Sequence, residues 1–115
     1  MFVRNYKDVT PTSFGDGIEK RIVIGPQDGA PNFVMRVFDL AAGKTSPNHS
    51  HDWEHEGFVL AGEGALLGEE GEIPMKPGDA FFVPPNQKHC MTNRGKETFR
   101  FVCVVPLRGE DVAQQ

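Results

Sequence analysis

"HSHDWEHEGFVLAGEG" (residues 49–64) carries three of the chain's four histidines and then runs into an apolar, glycine-punctuated segment. Side chains on a strand alternate between its two faces, so residues an even number apart share a face. His49, His51 and His55 have one parity, and Glu54 and Glu56 have the other. A bulge within "DWE" would break strict alternation, so parity ranks His55 ahead of its acidic neighbours without excluding them. The fourth histidine, His89, follows the "PPNQ" turn in a later strand, where it is expected to face the other three across a barrel. Neutral imidazole is the commonest metal ligand, and a full set of histidines gathered in two short segments points to a metal centre.

Working outward, 13 glycines and 9 prolines punctuate the chain at short intervals. The apolar runs between them have the length of strands rather than helices. Strands are expected over 20–25, 33–40, 56–68 (bent at its glycines), 72–76, 79–84, 88–93 and 98–106, with "EEGE" at 69–72 making a tight hairpin turn. An all-β sheet of roughly seven short strands must cover its edges, which predicts a sandwich or small barrel. The opening 17 residues are polar and punctuated by Pro and Gly, and "RGEDVAQQ" at the end is charged without apolar anchors, so this tail is expected to fray.

At 115 residues the chain suits one domain over 1–115 with its core at about 20–106. Twelve basic against sixteen acidic residues give a net charge of -4 with no basic block, which argues against a nucleic-acid partner. No apolar run reaches the roughly 18 residues of a membrane span, and the N-terminus lacks a leader pattern, so no membrane partner and a cytoplasmic location are expected. Cys90 and Cys103 make a weak case for a disulfide and read as reduced thiols. There is no Gly-rich phosphate loop, nucleophile elbow or CxxC motif.

With these residues in view, the chain resembles the cupin superfamily over most of its length. The first cupin motif, G-x5-H-x-H-x3/4-E-x6-G, matches as Gly43, His49, His51 and Gly62. With six residues between it and Gly62, His55 stands where the family usually has glutamate; choosing Glu56 instead would leave one residue too few and point to the other face. The second motif, G-x5-P-x-G-x2-H-x3-N, matches as Gly78, Pro84, His89 and Asn93, with Asn86 in the glycine slot of a turn needing positive φ. More narrowly, the chain is similar to small cupins that bind manganese or another divalent metal through four histidines.

The resemblance implies a double-stranded β-helix (jelly-roll) barrel and a homodimer. It also implies one divalent transition metal, Mn first and Fe, Cu, Zn or Ni as alternatives, held by His49, His51, His55 and His89. Four neutral ligands leave the ion its full charge, and an octahedral ion with four protein ligands keeps two positions for substrate or dioxygen. Alternation and the related proteins place Arg36, Met91, Phe101, Cys103 and Val105 around a substrate pocket for a small molecule with an apolar body and an oxygen anion. Taken alone, Met91, Phe101 and Val105 each read more readily as barrel core, and Arg36 reads equally well as an outer-face ion pair. Glu54 or Glu56 is a candidate partner for a ligand imidazole, Trp53 for a gate or a cap, and Cys103 for an inert thiol. No catalytic base can be named. The expected function is oxidation of a small aromatic, alkene or dicarbonyl compound by a dioxygenase. The alternatives are a non-catalytic module binding or sensing a carboxylate or sugar, and a metal-free cupin whose histidines bind substrate.

Overall fold

The structure, a computed structural model, describes residues 1–110. Nine strands occur among them: β1 (Thr12–Ser13), β2 (Ile18–Ile24), β3 (Phe33–Leu40), β4 (His55–Ala61), β5 (Gly64–Gly68), β6 (Gly71–Met75), β7 (Ala80–Val83), β8 (His89–Asn93) and β9 (Phe99–Pro106). A single helical turn, α1 (Leu107–Glu110), follows. The strands form an antiparallel six-stranded sheet, ordered β1-β2-β3-β9-β4-β7, and a three-stranded sheet, ordered β6-β5-β8. This is the jelly-roll barrel expected from the sequence. Among the described residues, no helix is long and apolar enough to cross a membrane.

Alternation does most of the folding work. Along β9, Phe99, Phe101, Cys103 and Val105 are buried and the residues between them are half-buried. On β3, Val34, Arg36, Phe38 and Leu40 point inward while Phe33 and Met35 stay exposed. β3 pairs with β9 without a break from Phe33↔Pro106 to Leu40↔Phe99, so the two inward rows register against each other. Val34, Leu40 and Phe99 are fully excluded from solvent, each contributing about 1.5–3 kcal/mol by burial. With a core of this kind carrying the fold, side chains at the barrel mouth are free to serve chemistry.

The bend anticipated within 56–68 falls between β4 and β5 at Gly62, where φ is +81° and a Cβ would run into the Thr98 carbonyl. The hairpin anticipated at "EEGE" joins β5 to β6, with Gly68 paired to Gly71 across Glu69 and Glu70. Two features depart from expectation. β1 lies inside the opening segment and pairs with β2, and the closing segment begins as ordered structure: α1 brings Glu110 onto two cations of the barrel. The charge of that segment suggested fraying, but its carboxylate finds partners far away in sequence. Residues 111–115 of the expected frayed tail lie outside the described residues.

Candidate metal centre

His55 opens β4, so the sheet fixes it facing inward, 5% exposed. His49 and His51 precede the strand, and the later motif holds their backbone in place. The His49 N–H donates to the His89 carbonyl at 2.9 Å, and the His89 N–H returns to the His49 carbonyl at 2.8 Å. The Asn86 N–H donates to the His51 carbonyl, and Asn86 adopts φ +69°, the left-handed turn for which its place in the glycine slot prepared it. Residues 50–54 lie before β4 and are not strand, with a bend at Asp52 and Trp53. What joins His51 to His55 is therefore this backbone clamp, not alternation.

The ligand-capable atoms of His51, His55 and His89 lie within 4.8 Å of one another. His49 stands at the edge of this trio and lines the same cavity, its ring centroid 5.3 Å from that of His51. Two of the rings have a partner on the nitrogen turned away from the cluster. His55 Nδ1 meets Cys103 Sγ at 3.3 Å, and His89 Nδ1 donates to the Gln87 carbonyl at 3.0 Å. These contacts present Nε2 to the cluster, and His55 Nε2 is buried without a hydrogen-bond partner among the described residues. Such an orphan costs about 1–3 kcal/mol, and a metal ion is the partner that three converging imidazoles would share. The donor set fits a divalent transition metal.

Burial lowers His51 to about 4 and His55 to about 3, helped by neighbouring imidazoles and by the Arg36 guanidinium. Burial also pushes His89 down, against the opposing bond to Gln87. The imidazoles are thus neutral near pH 7, the form in which they bind metal. Glu54 and Glu56, considered as partners for a ligand imidazole, are both exposed; Cys103 and the Gln87 carbonyl take those places instead.

The cavity beside the histidines is small, about 40 Å³, and largely apolar. Arg36, Met91, Phe101 and Cys103 line it, whereas Val105 lies in the core and not on the cavity wall. Phe14, Phe38, Ser46 and Pro47 complete the wall and were not singled out in the sequence. Phe38 shares the parity of Arg36 and was within reach of the alternation argument; Phe14 precedes β2 and carried no signal. Phe38 and Phe101 stack at 5.2 Å, with Phe14 edge-on to Phe38 at 5.3 Å. Trp53, 7% exposed, stacks flat on His51 at 4.6 Å. A roomier groove of about 260 Å³ between the β5–β6 hairpin and the turn before β8 shares only His89 with this site, and it gathers no ligand set.

Arg36 is 1% exposed and its hydrogen bonds to Glu110 and Cys103 lie inside the barrel rather than on the outer face. Its Nη1 pairs with Glu110 at 2.9 Å, its Nε donates to the Cys103 carbonyl at 3.3 Å, and its Nη2 donates to Cys103 Sγ at 3.3 Å. Burial raises the Cys103 thiol while Arg36 pulls against it, and Cys90 is raised by burial alone. Both cysteines are free. Asn93 is structural, donating to the Leu40 and Glu97 carbonyls at 2.9 and 2.8 Å.

Comparison with known proteins places this geometry. A family profile described as "Cupin domain" matches residues 36–105. The oxalate-binding protein of Thermotoga maritima is 30% identical over 69 residues, 59% of this chain and 57% of that protein. The glucose-6-phosphate isomerase of Thermococcus onnurineus is 31% identical over 94 residues, 70% of this chain and 49% of that protein. The chain thus spans about half the length of these curated relatives. Among solved structures, the polyketide cyclase RemF from Streptomyces resistomycificus superposes with a TM-score of 0.85 at 29% identity, covering 93% of this chain and 80% of that one.

Proposed function

Because the chain belongs to the cupin family, we propose that it is a metal-dependent enzyme oxidising a small aromatic, alkene or dicarbonyl compound. His51, His55 and His89 hold one divalent transition metal, manganese first among the candidates, and His49 completes the set. The observation that carries this reading is the buried, unpartnered Nε2 of His55 among converging imidazoles. A divalent ion there would act as a Lewis acid toward substrate oxygens, and a redox-active one would exchange electrons with dioxygen.

The chain's own side chains do the rest. Phe38, Phe101 and Met91 give an unsaturated body an apolar bed and keep water out. Arg36 supplies fixed positive charge on the same wall, favouring a substrate that carries an oxygen anion. Cys103 and the Gln87 carbonyl hold the His55 and His89 rings with Nε2 turned inward. The protein acts as a homodimer joined through the outer face of the larger sheet, where Phe33, Phe58 and Phe82 are 64%, 47% and 56% exposed.

The likeness to a polyketide cyclase favours a second reading, non-oxidative ring closure of a carbonyl-rich substrate at the same metal. Oxygen uptake by the metal-loaded protein, measured over a panel of phenolic and dicarbonyl compounds with product analysis, decides between them. Uptake supports oxidation, and product without uptake supports ring closure. Tight binding without turnover would overturn both in favour of a binding module.

A further inference from the structure

The Glu110 carboxylate closes a buried charge cluster behind the cavity wall. Its Oε2 accepts from Lys20 Nζ at 2.6 Å and its Oε1 from Arg36 Nη1 at 2.9 Å. Lys20 is 8% exposed and Arg36 1%, so one carboxylate serves two buried cations. The cations lean on the aromatic wall: Lys20 Nζ lies 5.4 Å from the Phe14 ring centre and the Arg36 guanidinium 5.1 Å from that of Phe38. Arg36 also faces the histidines, and its charge is felt at His51 and His55. The metal cavity and the charge cluster thus share one guanidinium.

Resting on the function proposed above, we propose that Arg36 and Lys20 form the oxyanion subsite of this cavity. Glu110 occupies it in the closed state, and a substrate carboxylate or enolate enters by exchanging with Glu110. Four observations lead there. Arg36 and Cys103 face each other in the β3–β9 ladder, so the sheet keeps the Cys103 carbonyl and thiol within reach of the guanidinium. Glu110 is held by a single helical turn and not by a sheet ladder. A cavity of about 40 Å³ has room for a few waters at most, and Arg36 is the member of the charge cluster on its wall, with Lys20 and Glu110 behind it, so a ring-sized substrate gains room if Glu110 gives up Arg36 and the wall shifts. Finally, the turn sits hard against Trp53: a Cβ at Gly109 would lie 2.9 Å from Trp53 Nε1. That Nε1 is buried without a hydrogen-bond partner among the described residues, so closure has a cost that opening relieves. Exchange of one anion for another keeps the two cations paired throughout.

Trp53 is the only tryptophan and therefore reports on this turn. Benzoate, an aromatic carboxylate, is titrated into the full chain as purified and again after Mn(II) loading, following tryptophan emission and calorimetric heat. Wild type should bind benzoate with a change in emission. Glu110→Gln, which removes the carboxylate that bridges the two cations, should bind at least about tenfold more tightly because that bridge no longer has to be broken. Should that variant fail to fold, Glu110→Asp keeps the charge on a shorter arm and should bind with affinity above wild type. Benzyl alcohol, with the same ring and no charge, should not distinguish the proteins. Equal benzoate affinity in wild type and the variants, or binding without a change in emission, would overturn the exchange. A chain that shows the exchange but takes up no metal would keep this subsite and lose the metal-dependent function; one that takes up metal and shows no exchange would lose the subsite alone.

Discussion

His55 and Cys103 meet inside the barrel, Nδ1 to Sγ at 3.3 Å, on strands that pair with each other. The same sulfur accepts from Arg36 Nη2 at 3.3 Å. One buried thiol thereby ties the orientation of a ligand ring to the cation of the substrate wall. Replacing Cys103 by Val keeps the volume and removes this acceptor. The expected result is a 10–100-fold loss of metal affinity, of the order that outer-shell partners command, with the fold retained. Cys103→Ser should recover most of the affinity. Metal titration with circular dichroism as the fold control measures both; unchanged affinity in the Val variant would remove the positioning role.

Metal uptake separates the ligands from their neighbours. Elemental analysis of untagged protein should find about one equivalent of transition metal after loading, and His55→Ala or His89→Ala should lower affinity at least about tenfold. His49→Ala tests the fourth place and should weaken binding in the same direction. His55→Glu restores the more usual family ligand, so it should still bind metal but with altered metal preference. Full occupancy in the His55→Ala protein would show that the ion sits elsewhere.

Acid should unfold the metal-free protein early. His51 and His55 are held near 4 and 3 in the folded state, against about 6.5 when unfolded. Between these values the unfolded chain binds more protons than the folded one, so stability is complete above about pH 6.5 and falls as pH drops toward 4. Urea midpoints across this range should decline with pH, and replacing His51 by Gln should flatten the slope. A midpoint that is flat from pH 7 to 4 would contradict the burial of these rings.

The outer face of the larger sheet should govern assembly. Phe58→Lys and Phe82→Lys place charge on exposed positions across the β4–β7 pair, where they touch no core residue by alternation. Light scattering should show a dimer for wild type and a monomer for the double variant, with little change in thermal stability of the monomer unit. A wild-type monomer at all concentrations would remove the dimer.

Much of the fold was legible because β-alternation is local. The expected strand 33–40 coincides with Phe33–Leu40, and the order of apolar runs gave the hairpin at Glu69 and Glu70. Alternation assigns a face and not a depth, and this explains Val105. It points inward with Phe101 and Cys103 but packs in the core near Gly109 rather than on the cavity wall. Glu110 was hidden for another reason: its partners Lys20 and Arg36 are 90 and 74 residues away, and an ion pair at that separation leaves no local pattern. Phe14 was equally silent, an aromatic in a polar lead segment that reaches the wall through tertiary packing.

The reciprocal hydrogen bonds between His49 and His89 run through backbone alone. They bring the two histidine-bearing segments together whichever side chains those residues carry, so position and donor identity are inherited separately. A lineage built on this clamp can trade imidazole for carboxylate one codon at a time, retuning the charge of its centre while the scaffold that aims the donors stays as it was.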